Sequence, residues 1–244
     1  MNNVPYNYTE EIKLKMLTLL YITGILLILL PQIWVRSTLN KYSNEESSIG
    51  RTGADIAREI LSRHQLSHVK VEVTNQGDHY DPSSKVVRLS ENFYNGTSLS
   101  AVTVAAHECG HAIQDAENYG FMRLRAAVTP IVQICQFGPM LLVFSLMLTA
   151  FLASPIWKLT ALIGLVMYIG IFFFQVITLP VELDASFGRA VPVLEGSGYI
   201  SPDEKEKANK ILQACAFTYI AAALYSLIEI LRCAFILFSN RNRD

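Results

Sequence analysis

The sequence predicts a mainly α, integral membrane protein with about four transmembrane helices and a small α+β domain set between them. Two observations carry this. The 244 residues are 51% hydrophobic and only 17% charged, which is low for a water-soluble domain. The charge deficit is also concentrated: no charged residue occurs from Ala126 to Trp157, and none from Leu159 to Val181. About 20 apolar residues are enough to cross a bilayer, so runs of this kind read as spans rather than core helices.

The first span is expected near Met16 to Val35. The residues Pro31, Gln32, Ile33 and Trp34 do not make a small-residue cleavage site, and Trp34 suits an interfacial belt, so a stable anchor is expected rather than a signal peptide. The second span is expected near Pro130 to Ala153, with a kink at Gly138 and Pro139. The third runs near Ile156 to Leu179, joined to the second by a hairpin at Ser154 and Pro155. The fourth runs near Ala214 to Phe238.

Between the first two spans lies the longest polar stretch. Thr52 to Asp55 reads as a capping-box variant opening a helix whose apolar members are Ala54, Ile56, Ala57, Ile60 and Leu61. Val69, Val71 and Val73 alternate with polar residues, which predicts a half-buried strand. Asp81 to Ser84 predicts a turn, and Lys85 to Ser90 a second strand. Leu99 to Asn118 then predicts a helix, with Ser98 or Ser100 as its N-cap. After the third span, Ser201, Pro202 and Glu204 predict a helix start with Ser at N-cap, Pro at N1 and Glu at N3, running on into the fourth span. The expected organisation is an anchor over residues 1–36, a soluble domain over 37–125, a membrane hairpin over 126–179, a second polar segment over 180–210, and a final span with its tail over 211–244.

The helix from Leu99 carries His107, Glu108, Cys109, Gly110 and His111, an H-E-x-x-H string. Residues four apart share a helix face, so both imidazoles can address one zinc ion, with Glu108 placed to reach the attacking water. This is the arrangement of metal-assisted peptide hydrolysis, and it makes the soluble domain zincin-like in expectation. A solvated polar face is the plainer reading. The surround of Val102, Ala105, Ala106, Ala112 and Ile113 opposes it, because two buried histidines without partners are costly. Cys109 is expected to point away from the histidine face as a small packing residue. The four cysteines include no C-x-x-C pair, so neither a disulfide framework nor a cysteine zinc site is indicated.

A catalytic zinc usually takes a third protein ligand. Glu117 is the local candidate, but Gln114 stands where a chain-reversing glycine would be needed. Glu182, at the end of the third span, is the stronger one. Two spans separate it from the H-E-x-x-H helix, so both polar segments lie on one side of the membrane and can meet. Glu182, Ser186 and Arg189 are expected to share a helical face, with Pro180 near a helix start. Asp184 is expected either to hold a histidine ring or to cap the helix. Arg189, His79 and Tyr80 are candidates for stabilising an oxyanion, each with a structural hydrogen bond as the alternative.

Net charge is −1 and no basic stripe is present, so nucleic-acid binding is not expected. Lys and Arg near the span ends favour the domain side: Arg36, Lys41, Arg123, Arg125, Arg189, Lys205, Lys207 and Lys210, against Lys13, Lys15, Lys158, Arg241 and Arg243. That bias predicts an active site facing the cytoplasm.

The chain resembles the bacterial membrane-bound neutral zinc metallopeptidases of the YugP type, which are gluzincin-like. The matching segments are Ser37 to Ser43, Thr52 to Ala54, Asp78 to Pro82, Lys85 to Ser90, Ala105 to Ile113, Leu179 to Ser186 and Tyr219 to Leu224. The resemblance implies zinc bound by His107, His111 and Glu182, with Glu108 as catalytic base. It further implies a peptide or membrane-protein substrate, a multi-pass place in the bacterial inner (plasma) membrane, and the stretch from His79 to Ser90 as a strand pairing with substrate main chain. A site-two type of intramembrane protease fits less well, because no aspartate lies within the later spans. A non-catalytic zinc-bound scaffold or membrane-protein regulator is the alternative; it accounts for the ligands but gives Glu108 no purpose.

Overall fold

A computed structural model describes residues 8–152 and 155–239. Four of its helices are long and apolar enough to cross a membrane: Glu11–Ser43, Gly120–Leu148, Pro155–Gly196 and Pro202–Phe238. Their large apolar residues lie largely at the surface, among them Leu19, Leu30, Ile131, Ile134, Met140, Phe173 and Leu231. Helices satisfy their backbone groups internally, so an apolar exterior on such elements is the signature of contact with lipid. The chain divides into two compact units, one comprising the residues up to Leu30, Pro130–Phe173 and those from Ala221 on, the other Pro31–Thr129 and Phe174–Ile220.

In the first unit, α6 (Gly138–Leu152) and α7 (Pro155–Leu183) approach closely through small residues. A Cβ on Gly164 would stand 2.7 Å from the Leu142 backbone nitrogen, and one on Gly138 would stand 2.6 Å from Met167 Cβ. Such contacts are how membrane helices gain packing without a hydrophobic drive. Next to the expected kink at Gly138 and Pro139 the helix is interrupted by a two-residue turn, Gln136 and Phe137. α5 (Gly120–Cys135) ends before it and α6 begins after it, with Pro139 in the first helical turn of α6, where a missing N–H costs nothing. The predicted hairpin residue Ser154 lies outside the described residues, as do Ala153 at the end of the second predicted span and the cations Arg241 and Arg243.

The second unit begins with the end of α1 (Tyr8–Ser43) and builds its core on α2 (Gly53–Arg63). Thr52 caps α2, its Oγ1 accepting from the Asp55 N–H at 3.1 Å, and Ala54, Ile56, Ala57, Ile60 and Leu61 are all buried. Three strands follow: β1 (Lys70–Thr74), β2 (His79–Asp81) and β3 (Val86–Ser90). They are ordered β1-β3-β2, with β1 parallel and β2 antiparallel to β3. The sequence pattern indicated β1 and β3 but not β2, whose pairing is dictated by its neighbour: Tyr80 lies opposite Val87. Val73 is 50% exposed, because β1 is an edge strand whose outer end meets no further layer.

After the short α3 (Glu91–Tyr94) comes α4 (Leu99–Ala116). Ser98 is its cap, accepting from the Ala101 N–H at 3.2 Å, while Ser100 instead donates to the Leu39 carbonyl at 2.9 Å. The core of this unit joins Ile56, Ile60, Val87, Leu89, Leu99 and Val102 to Leu194 of α8 (Val191–Gly196) and Ile211 of α9 (Pro202–Ser239). Cys109 is buried in it, with Sγ 3.6 Å from the Ala57 carbonyl. The start of α9 is a reciprocal capping box: the Glu204 N–H donates to Ser201 Oγ at 3.3 Å and the Ser201 N–H to Glu204 Oε2 at 2.7 Å.

Two details concern the segment that carries Glu182. Pro180 lies inside α7 rather than at a helix start. Beyond Leu183 the helix widens into a π-helical stretch, Asp184–Ala190, before α8. This stretch packs directly on α4 because position 110 has no side chain: a Cβ on Gly110 would stand 2.7 Å from the Ala185 carbonyl oxygen.

Candidate metal centre

α4 turns His107, Glu108 and His111 toward a cavity of about 350 Å³, lined also by His79, Arg125, Glu182 and Tyr219. Among the described residues, His107, His111 and Glu182 form the one group of three that could hold a metal ion. Glu182 is 2% exposed. Its Oε2 lies 3.3 Å from His107 Nε2 and 3.4 Å from His111 Nε2, yet has no hydrogen-bond partner. The other oxygen, Oε1, accepts from Arg125 Nη1 at 2.9 Å. One oxygen is thus neutralised and the other is left bare between two imidazoles.

The donor set fits zinc. Bonds of about 2.0–2.1 Å in a tetrahedral site imply ligand atoms about 3.3–3.4 Å apart, which is the spacing from Glu182 Oε2 to each ring. A buried carboxylate oxygen without a donor is costly, and a cation at the centre of these three atoms removes that cost.

The groups behind the ligands set the rings. Gln114 Nε2 donates to the Val181 carbonyl and to Asp184 Oδ2, both at 2.8 Å. Its Oε1 therefore faces His111 Nδ1, at 3.0 Å. A carbonyl oxygen can only accept, so Nδ1 carries the proton and Nε2 keeps its lone pair for a metal. His107 Nδ1 meets Ser186 Oγ at 3.1 Å. Asp184 acts on His111 through Gln114 and also accepts from Arg189 Nε at 2.7 Å.

Glu108 is buried and lines the same cavity. Burial pushes its carboxyl up to about 7, opposed by the nearby His107 ring and by a bond from the Tyr80 backbone N–H. Of the oxyanion candidates, Arg189 does not line the cavity. Its guanidinium is taken by Asp184 and by Glu117, the latter at 2.8 Å. The expected shared face of Glu182, Ser186 and Arg189 assumed α-helical spacing. In the π-helical stretch residues five apart stack, which aligns Arg189 with Asp184. Glu117 is thereby also held away from the histidines. Tyr80 lines the cavity but spends its hydroxyl on Asp115 Oδ2 at 2.7 Å. His79 lines it too, with Nδ1 on the Gly77 carbonyl at 2.8 Å. Sequence reasoning had not assigned site roles to Gln114, Ser186, Arg125 or Tyr219. Arg125 had served only as evidence of orientation, and nothing in local pattern marks a tyrosine within a span as facing a site.

The model of a family described as "Putative neutral zinc metallopeptidase" matches residues 17–238. The chain belongs to this family. A protein of Bacillus subtilis (strain 168) described as "Putative membrane protease YugP" is 43% identical over 216 residues, covering 87% of this chain and 92% of that protein. No solved structure matches. The neutral zinc metallopeptidase family and the His–His–Glu geometry agree on the metal: a zinc-type donor set held in a membrane protein.

Proposed function

We propose that the protein is a membrane-embedded zinc endopeptidase in which His107, His111 and Glu182 hold the metal and Glu108 is the general base. The observation that carries this reading is the bare Glu182 Oε2, at tetrahedral spacing from the Nε2 atoms of His107 and His111, beside a buried Glu108. When bound, zinc supplies Lewis acidity that polarises the scissile carbonyl and acidifies the attacking water. Glu108 takes the water proton as the oxygen attacks, then delivers it to the departing amine. Arg125 balances the charge of Glu182 from outside the ligand set. Gln114 and Ser186 hold the two rings in the orientation that leaves Nε2 available.

The substrate is a peptide or a segment of a membrane protein. β2 is an edge strand whose residues His79 and Tyr80 line the cavity, so an extended chain can add to that edge by main-chain hydrogen bonds. The excess of Lys and Arg on the domain side supports an active site facing the cytoplasm across the inner (plasma) membrane. A zinc-bound scaffold would need the three ligands but neither the cavity nor Glu108.

The test is purified parent protein and Glu108→Gln in detergent, each with measured zinc content, assayed on casein and on a membrane-protein substrate. Cleavage inside the chain by the parent, lost in Glu108→Gln at unchanged zinc content, supports the proposal. Equal cleavage by both, or none by the zinc-loaded parent, refutes it.

A further inference from the structure

The candidate oxyanion donors legible in the sequence are engaged elsewhere, which leaves open what receives the negative charge that develops on the attacked carbonyl. Arg189 is bound to Asp184 and Glu117 outside the cavity, the Tyr80 hydroxyl is bound to Asp115, and His79 has Nδ1 on the Gly77 carbonyl and Nε2 3.4 Å from Arg88 Nη1. Arg125 reaches the cavity but is paired with Glu182. Tyr119, Arg123 and Tyr219 line the cavity without a side-chain hydrogen bond among the described residues. Tyr119 faces Asp184 and Arg189, whereas Tyr219 faces Glu108 and the carboxylate ligand Glu182. Tyr219, on α9, lines the same cavity as His107, Glu108, His111 and Glu182, and its side chain stands within electrostatic range of both Glu108 and Glu182. Its hydroxyl makes no hydrogen bond among the described residues. Cys215, one helical turn earlier, is likewise within range of Glu108 and Glu182, so this face of α9 is turned to the site. A phenol beside two acids, in a largely buried place, gains nothing structurally from an unpaired hydroxyl. It is a preformed donor waiting for an acceptor.

We infer that Tyr219 is a catalytic residue, donating its phenolic O–H to the oxygen of the attacked peptide carbonyl. This rests on the endopeptidase reading above. As the water oxygen bonds to the carbonyl carbon, the C=O π pair moves to oxygen and the water proton moves to Glu108. Tyr219 strengthens its hydrogen bond to that oxygen without giving up its proton. When the C–N bond breaks, the pair returns to form the carbonyl and the nitrogen takes the proton from Glu108. A donor aimed at charge that exists only in the transition state accelerates the reaction without tightening substrate binding.

The test compares the zinc-loaded parent with Tyr219→Phe, which keeps the ring and removes the donor. Removing one oxyanion donor costs about 10²–10³ in kcat. The expected result is a fall in kcat of about 100-fold with KM changed by less than about threefold, at equal zinc content and equal thermal midpoint. A phosphinic peptide copying a bond that the parent cleaves, and carrying the tetrahedral oxygens of the transition state, should lose affinity for Tyr219→Phe in step with kcat/KM. An unchanged kcat overturns the inference, as does a lowered kcat with phosphinate affinity unchanged, which would make Tyr219 a packing residue. A parent that cleaves nothing overturns the endopeptidase reading itself and is seen before the variant is compared.

Discussion

Gly110→Ala asks whether the approach of the two ligand-bearing segments limits metal binding. Two effects compete. In an exposed helix interior, alanine is favoured over glycine by about 1 kcal/mol. Here the added Cβ would stand 2.7 Å from the Ala185 carbonyl oxygen, about 0.7 Å inside the 3.4 Å at which ordinary contact begins. The obstacle is backbone, so it cannot swing aside as a side-chain tip would. Overpacking of this kind costs about 1–3 kcal/mol, so the clash outweighs the helix gain and the π-helical stretch must retreat from α4. Ala185 lies three residues after Glu182 and one before Ser186. A retreat of several tenths of an ångström exceeds the roughly 0.2 Å tolerance of a metal–ligand bond. The expected outcome is zinc affinity lowered by about 10–100-fold, the range typical of disturbed ligand support, in a protein that still folds. Competition between the purified protein and a chelator of known zinc affinity measures it, with thermal unfolding of the metal-free protein as the control. If Gly110→Ala binds zinc like the parent and unfolds at a higher temperature, the helix gain has won and the close-approach argument is wrong.

Gln114→Leu keeps the volume of a fully buried side chain but removes the acceptor for His111 Nδ1 and the donors to Val181 and Asp184; zinc affinity should fall by about 10–100-fold in the same chelator titration, and an unchanged value would show that ring orientation is set by packing alone. Asp81 concerns pH. Hydrogen bonds from Ser83, Ser84 and Arg88 hold its carboxyl well below the usual carboxylate range. A depressed folded-state pKa adds stability above the unfolded value of about 3.9. That contribution is lost as pH falls toward the folded value, so Asp81→Asn should destabilise the protein at pH 7 and differ progressively less from the parent below about pH 4. Thermal midpoints across pH 3–7 that stay parallel for the two proteins would contradict this.

What was legible in the sequence was what local chemistry decides. Thr52, Ser98 and Ser201 cap helices because each has a following backbone N–H within reach of its own side chain, and that needs no tertiary partner. His107 and His111 fall on one face by helix periodicity alone. Glu182 could be proposed because a catalytic zinc needs a third protein ligand and two intervening spans put this carboxylate on the same side as the H-E-x-x-H helix. The π-helical stretch was not legible, because no local pattern marks it; in the fold it lies against a side-chain-free Gly110, 75 residues away in sequence. Arg189 was misplaced for the same reason: the extra residue in the turn moves it from the ligand face onto Asp184. β2 is three residues long, too short for an alternation pattern, and exists because β3 offers it an edge.

The three proposed ligands come from two segments separated by two of the candidate membrane-spanning helices, and this bears on what a metal would do for the fold. Closing a loop of that length around an ion alone would carry a large entropic cost, and in small zinc domains the metal bears such a cost and is itself the fold. In this unit the closure has other means. Ile56, Leu89, Leu99, Leu194 and Ile211 are fully buried in one core spanning both segments. Gln114 ties α4 to the end of α7 at Val181 and to the π-helical stretch at Asp184, and Arg125 holds Glu182 from α5. The approach at Gly110 fixes the spacing. These contacts involve no metal, so packing and hydrogen bonding can hold the proposed triad in place without drawing on the ion. Preorganisation of this kind suits a catalytic site, where the ion must sit in a fixed field rather than draw its ligands together.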